Sequence, residues 1–405
     1  MFEFNPLSPE FQANPYAYYD ALRAAAPVYY WEPWQIWFLS GYDDCVAALK
    51  DTRLGRDWDR AFTQEQMDSF PKPPDDQMPL VEMQRNWMLL RDPPAHTRLR
   101  TLVHKAFTPR TIEQLRSHVE EIVRDLLDEA EAKGSMDLIA DLAFPLPVTV
   151  IAEMIGIPTA DRDIFRHWSH DLAFTLELTD DAEIYAKGAA ATVELSRYLH
   201  DKVRDCRRTP KEDLLSALVA AEEAGDRLTE DELISTVILL LVAGHETTVN
   251  LIGNGVLALM RHPDQLARLQ ADTSLVRNAV EEILRYDSPV QLTARLALED
   301  VRIGEHTVRR GQQVATLLGA ANRDPKQFPD PNTFDITRAG ADKHIGFGAG
   351  IHFCLGAPLA RMEGAIALRQ LVERFPNLSI GDDPLAYRAT YVLRGLETLP
   401  MTLAG

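Results

Sequence analysis

The chain has 405 residues and very little cysteine: Cys45, Cys206 and Cys354 are widely spaced and odd in number. They form neither a disulfide framework nor a zinc-ligand spacing. A reducing compartment is therefore expected, and one cysteine is worth examining for chemistry. Basic charge is also scarce. Lys and Arg total 42 against 61 Asp and Glu, a formal net charge of −19, which argues against nucleic acid or an anionic membrane surface as a partner. No long hydrophobic run is present. The most apolar segment, Val237 to Gly244, is interrupted by His245 and Glu246 well before it could span a bilayer. The opening MFEFNPLSPEF lacks a basic stretch followed by an apolar one, so neither signal peptide nor membrane anchor is expected. A cytoplasmic location follows as the default.

Hydrophobic residues, 46% of the chain, suffice for a large core and an interior cavity. Val28–Trp31 and Ile36–Leu39 flank Glu32-Pro33 and read as a hairpin. Residues 56–90, rich in Pro, Asp and Met with little periodicity, read as a long loop over a functional site. From Thr108 to about Gly134 a helical pattern places Ile112, Leu115, Val119, Ile122 and Leu126 on one face. Further helices are expected within 160–205. Thr229-x-x-Glu232 is a capping box that opens a helix running to about Arg261. At 1.5 Å per residue that is about 45 Å, and it is apolar nearly all round, as a central helix reads. A helix from Ser274 to Tyr286 follows, then short strands around Gly304 and Gly311. Asn322 to Arg338 is proline-broken, and a last helix spans Ala357 to Phe375. Without repeats or linkers, the pattern predicts one mainly helical domain over residues 1–405 with a small, late β region.

The segment Phe347-Gly348-Ala349-Gly350-Ile351-His352-Phe353-Cys354-Leu355-Gly356 carries the chemistry. Glycines at this density let a backbone approach a flat object closely. A helix starts immediately afterwards, and its N-terminal N–H groups stabilise a thiolate. A thiolate so held can be an axial haem ligand that favours O–O cleavage. Two blander readings compete: an inert buried cysteine, and a dinucleotide loop, which fails because Ile351 stands where its third glycine is required.

Position by position this segment resembles the F-G-x-G-x-H-x-C-x-G signature of the cytochrome P-450 family, the haem-thiolate monooxygenases, and the similarity covers essentially the whole chain. The resemblance implies haem b with Cys354 on the metal and with Phe347, Gly348, His352 and Gly356 around it. In the long helix, Ala243-Gly244-His245-Glu246-Thr247-Thr248 is similar to the family's distal segment. Ala243 and Gly244 then lie against the haem, Gly244 lets the helix loosen for dioxygen, and Thr247 and Glu246 are the catalytic pair that delivers protons. The competing metal motif H-E-x-x-H fails at Val249, and His245 reads as structural. Glu282-x-x-Arg285 with Arg338 matches a buried structural network of the family. His96, Arg100, Arg295 and His352 match the cations that hold the haem propionates.

The activity implied is monooxygenation of an apolar, medium to large substrate, such as a fatty acid, terpenoid, steroid or macrolide. No flavin or iron–sulfur segment is present, so electrons would come from a ferredoxin and its NAD(P)H-dependent reductase. Arg98, Lys105, Arg110 and Arg361 are the expected docking cations. Val242, Val290, Leu292, Thr293 and Val392 are the expected pocket residues, with the 56–90 loop and the 165–200 helices. A peroxide-driven hydroxylase is the nearest alternative, and the intact Glu246-Thr247 pair argues against it. A haem-based gas sensor would need no proton relay and would carry an output domain.

Overall fold

The computed structural model describes residues 5–6, 8–158, 161–211, 213–223, 228–381 and 384–403. It is mainly helical, as expected, and divides into two compact units. The first comprises residues 1–55, 114–146 and 247–405; the second comprises 56–113 and 147–246.

The first unit holds the β structure. The expected hairpin forms, Val28–Trp31 pairing antiparallel with Ile36–Leu39. Ile36–Leu39 then runs parallel to Gln313–Leu317, which pairs antiparallel with Leu292–Ala297, and Leu54–Gly55 closes the far edge. Leu39, Cys45, Leu49, Ala297, Val314 and Leu318 form a buried cluster against this sheet, the apolar side that a half-buried strand pattern requires. Ser135–Asp137, Pro400–Thr402 and Ser379–Ile380 make a smaller sheet. The helices Arg116–Lys133 and Ala357–Arg374 are tied by ion pairs from Arg369 to Glu120 at 2.9 Å and from Arg374 to Asp128 at 2.5 Å.

In the second unit the helix Arg162–Phe174 packs on Ala182–Arg208. Phe165 meets Tyr198 edge-on at 5.0 Å, and the Tyr198 hydroxyl donates to Asp161 at 2.5 Å. The long helix spans Glu230–Arg261, and the chain passes from the second unit to the first within it. Its capping box forms as read: Thr229 Oγ1 accepts from the Glu232 N–H at 3.2 Å, and Glu232 returns a bond to the Thr229 N–H at 3.0 Å. By length and composition alone this helix could cross a membrane, yet 83% of its apolar window is buried inside the fold, as in a core helix.

Two expectations are corrected. Residues 56–90 are not one loop but contain the helices Trp58–Ala61, Gln64–Ser69 and Met78–Arg85. The signal was present in Thr63-x-x-Gln66, where both capping-box bonds form. The single helix expected from Thr108 is two, Pro109–Gln114 and Arg116–Lys133. In the second helix Val119, Val123, Leu127 and Ala130 are the buried residues, with Ile122 and Leu126 partly buried beside them. It ends at Gly134, left-handed at φ 73°, where a side chain would be strained.

Candidate active site

The cysteine loop lies in the first unit and is set by its own backbone. The Cys354 N–H donates to the Phe347 carbonyl at 2.9 Å, and the Gly348 N–H to Ile345 at 2.8 Å. Gly350 has φ +71°, and a Cβ there would sit 2.5 Å from the Leu49 carbonyl oxygen, so glycine is required on two counts. Gly356 caps the helix Ala357–Arg374, with Pro358 in its first turn, so the Cys354 sulfur precedes a helix N-terminus. The other two cysteines are elsewhere. Cys45 is fully buried, donates to the Leu39 carbonyl at 3.2 Å, and burial pushes its thiol well up. Cys206 lies 3.5 Å from the Ser216 hydroxyl in the second unit.

The ladder behind this loop is built as read, and more tightly. Glu282 and Arg285, one helical turn apart, face each other in a two-point ion pair at 2.7 and 2.8 Å, both wholly buried. Arg285 also donates to the carbonyls of Asn322, Pro331 and Thr333. Arg338 joins Glu282 at 3.1 Å. The irregular stretch 322–338 is thus wound round a guanidinium whose fork it saturates.

Sequence reasoning missed a second network next to this one. Glu281 receives Arg361 at 2.6 and 2.9 Å and His344 at 3.0 Å. Burial alone would raise its carboxyl, but the bonds and charges of His344 and Arg361 outweigh that and hold it at about 2. Arg361 stacks over the Phe347 ring at 4.6 Å, so Phe347, whose carbonyl takes the Cys354 N–H, is clamped from its side chain. Arg361 is therefore engaged in an ion pair while a third of it stays exposed. Arg98 is likewise paired with Glu232, one of the two contacts at 3.0 Å. Lys105 and Arg110 are exposed as expected.

Arg295 is buried in the strand Leu292–Ala297 and donates to Thr293 Oγ1 and the Ala294 carbonyl, both neutral oxygens. In the same unit the Gln291 N–H bonds to the Val392 carbonyl at 2.8 Å and Val290 bridges Leu393. Val290 and Val392 thus flank the start of the strand that carries Thr293; all three are partly exposed, whereas Leu292 is core.

The long helix, which belongs to the second unit up to Glu246 and to the first from Thr247, has one exception in its burial. From Leu233 to Leu259 every residue is buried except Ala243, Gly244 and Thr247. Those three share one face and are small, a cradle suited to a flat group. The helix is unbroken here, and Gly244 allows close packing, since a Cβ would lie 3.1 Å from Ile151. His245 is buried, with Nδ1 donating to the Leu241 carbonyl at 2.8 Å. Val242 is core. His96 and Arg100 stand one turn apart on the helix Ala95–His104 and share a face. Burial lowers the His96 pKa first, and the Arg100 charge lowers it further, against Asp92.

Two more residues were not foreseen. His170 Nδ1 lies 3.3 Å from Glu246 Oε1, across 76 positions of sequence that no spacing rule connects. Glu363, in the helix after Cys354, is buried with neither carboxyl oxygen hydrogen-bonded among the described residues, and burial raises it to about 8. The site residues thus fall into two groups, one in each unit. A thiol ahead of a helix N-terminus, buried or half-buried cations for two carboxylates, and a small-residue cradle fit haem.

A family model described as cytochrome P450 matches residues 60–388. The biotin biosynthesis cytochrome P450 of Bacillus subtilis is 43% identical, with 98% of each chain covered. The 6-deoxyerythronolide B hydroxylase of Saccharopolyspora erythraea is 42% identical, again over 98% of each. A solved P450 in complex with hexadec-9Z-enoic acid ligated acyl carrier protein superposes with a TM-score of 0.90 at 42% identity, covering 98% of this chain and all of that one.

Proposed function

The chain belongs to the cytochrome P450 family, and on that premise we propose that Cys354 is its haem ligand and that Thr247 and Glu246 deliver protons during turnover. Like the relatives, it is a haem-binding monooxygenase served by separate redox partners. When bound through a thiolate, haem supplies the activation of dioxygen, one atom of which enters the substrate while the other leaves as water.

The rest is the work of side chains. The N-terminal dipole of Ala357–Arg374 and the Cys354–Phe347 bond hold the sulfur as a thiolate in one position. Phe347, Gly348 and Gly356 keep that loop thin. His96, Arg100, Arg295 and His352 are the residues that would hold the haem propionates, through charge-assisted hydrogen bonds. Ala243 and Gly244 offer a face without bulk, and Thr247 on the same face would supply a hydroxyl to hydrogen-bond the oxygen substrate. Glu246, the next residue back, is the proton donor behind it. The observation that carries this reading is the single open face, Ala243, Gly244 and Thr247, in an otherwise buried helix, beside a buried carboxylate.

Residues 1–405 are read as one catalytic domain in the cytoplasm, with a ferredoxin and its NAD(P)H-dependent reductase as electron source. The substrate is apolar and medium to large. The names of relatives span an acyl chain carried on acyl carrier protein and 6-deoxyerythronolide B, which supports that size range without choosing within it.

The test is Thr247→Ala with a substrate found by its shift of the Soret band. Substrate affinity and NAD(P)H consumption should stay near wild type while product per NAD(P)H falls several-fold and hydrogen peroxide rises. Full coupling in Thr247→Ala would remove the hydroxyl from the path.

A further inference from the structure

We propose that His170 is the solvent-side proton donor to Glu246, a further member of the proton-delivery path; this rests on the role given to Glu246 above. Both residues belong to the second unit, His170 on Arg162–Phe174 and Glu246 on Glu230–Arg261. Their exposures are opposite: the Glu246 side chain is 3% exposed and that of His170 is 46% exposed. A carboxylate sealed in a helix core needs a route by which protons reach it, and His170 Nδ1 stands 3.3 Å from its Oε1.

His245 does not serve as that route. Its Nε2 lies 3.5 Å from the same Oε1, but the residue is itself sealed from water, at 1% exposure. Nδ1 must carry a proton, because its partner is the Leu241 carbonyl at 2.8 Å. Nε2 faces Ser169 Oγ at 3.3 Å, and that hydroxyl in turn donates to the Phe165 carbonyl at 2.6 Å. Both imidazoles thus approach the same Glu246 oxygen, and of the two it is His170 that reaches water. The His170 ring is steadied edge-on by Phe174 at 4.7 Å, which keeps it aimed while leaving half of it in water.

The transfer balances simply. Water protonates the imidazole, the Nδ1 proton passes to Glu246 Oε1, and Glu246 passes its proton onward; the imidazole regains a proton from solvent. Histidine is the side chain able to give and take a proton near neutral pH, and a relay through one exposed base is a common general-acid arrangement.

The experiment uses the haem-loaded protein. His170→Gln and His170→Phe should bind substrate with a wild-type Soret shift yet turn over several-fold more slowly, with a larger solvent isotope effect. His170→Lys, which can still donate, should recover part of the loss. In a Glu246→Gln background, His170→Gln should cost nothing further. Apart from activity, the ring-nitrogen shifts of His170 in 15N-histidine NMR spectra should change on Glu246→Gln. Wild-type turnover in His170→Phe, or losses that multiply in the double variant, would overturn the role of His170 alone. A Glu246→Gln enzyme with wild-type turnover would overturn the relay reading itself.

Discussion

Glu282 in the first unit and Glu246 in the second are almost equally hidden from water, at 0% and 2% exposure, but their surroundings differ in kind. Glu282 meets two arginines and the Asp335 N–H, and its partner Arg285 is further bonded to three carbonyls. Every group there is matched by a fixed partner. Glu246 instead faces two imidazoles at 3.3 and 3.5 Å, one of them half exposed. A saturated network stores geometry, whereas a carboxyl beside a base that reaches water can exchange protons. Burial alone does not distinguish a structural acid from a working one; the partners do.

The largest effect should come from breaking the saturated side. Glu282→Ala leaves the Arg285 guanidinium buried without its carboxylate, a loss of about 3–5 kcal/mol. Thermal unfolding and haem content should both collapse, and even Arg285→Lys should fail, because an ammonium cannot fill the same fork. A stable, fully haem-loaded Glu282→Ala protein would erase the contrast.

Next comes the other glutamate. Glu246→Gln should unfold near the wild-type temperature yet slow turnover, a tenfold loss corresponding to about 1.4 kcal/mol in the barrier. A large fall in unfolding temperature without a kinetic change would make Glu246 structural after all.

Glu363 sharpens the comparison as a buried acid with no hydrogen-bond partner among the described residues. Burial raises it to about 8 from 4.5. Between those values the unfolded chain has released a proton that the folded chain keeps, so stability falls as pH rises through that window. Glu363→Gln should flatten the decline, read as urea midpoints from pH 5 to 8; an unchanged slope would count against it.

The smallest effect concerns Glu281, held at about 2. Its stabilisation is present above the ordinary carboxylate range and is lost as pH falls toward 2. Arg361, a third exposed, bears part of this, so Arg361→Ala should move acid unfolding modestly upward in pH. No movement would show that His344 alone suffices.

The parts of the molecule legible in the sequence are those that depend on short spacings. Thr229 and Glu232, Glu282 and Arg285, the hairpin across Glu32-Pro33 and the glycines before Cys354 all lie within a few residues of the groups they serve. Arg338 entered by resemblance, and the structure joins it to Glu282. What escaped depends on tertiary approach. His170 reaches Glu246 across 76 positions and His344 reaches Glu281 across 63, and no periodicity marks either histidine. The division at Leu115 is likewise one that a continuous apolar stripe conceals. The capping box at Thr63 was legible and was outweighed by the prolines around it.

The account rests most on Cys354 as the haem ligand. The direct measurement is the absorption spectrum of the reduced, carbon monoxide-bound protein. The account predicts the long-wavelength Soret band of thiolate ligation, kept in Cys45→Ser and Cys206→Ser and abolished in Cys354→His. A histidine-type band in the wild-type protein would contradict it.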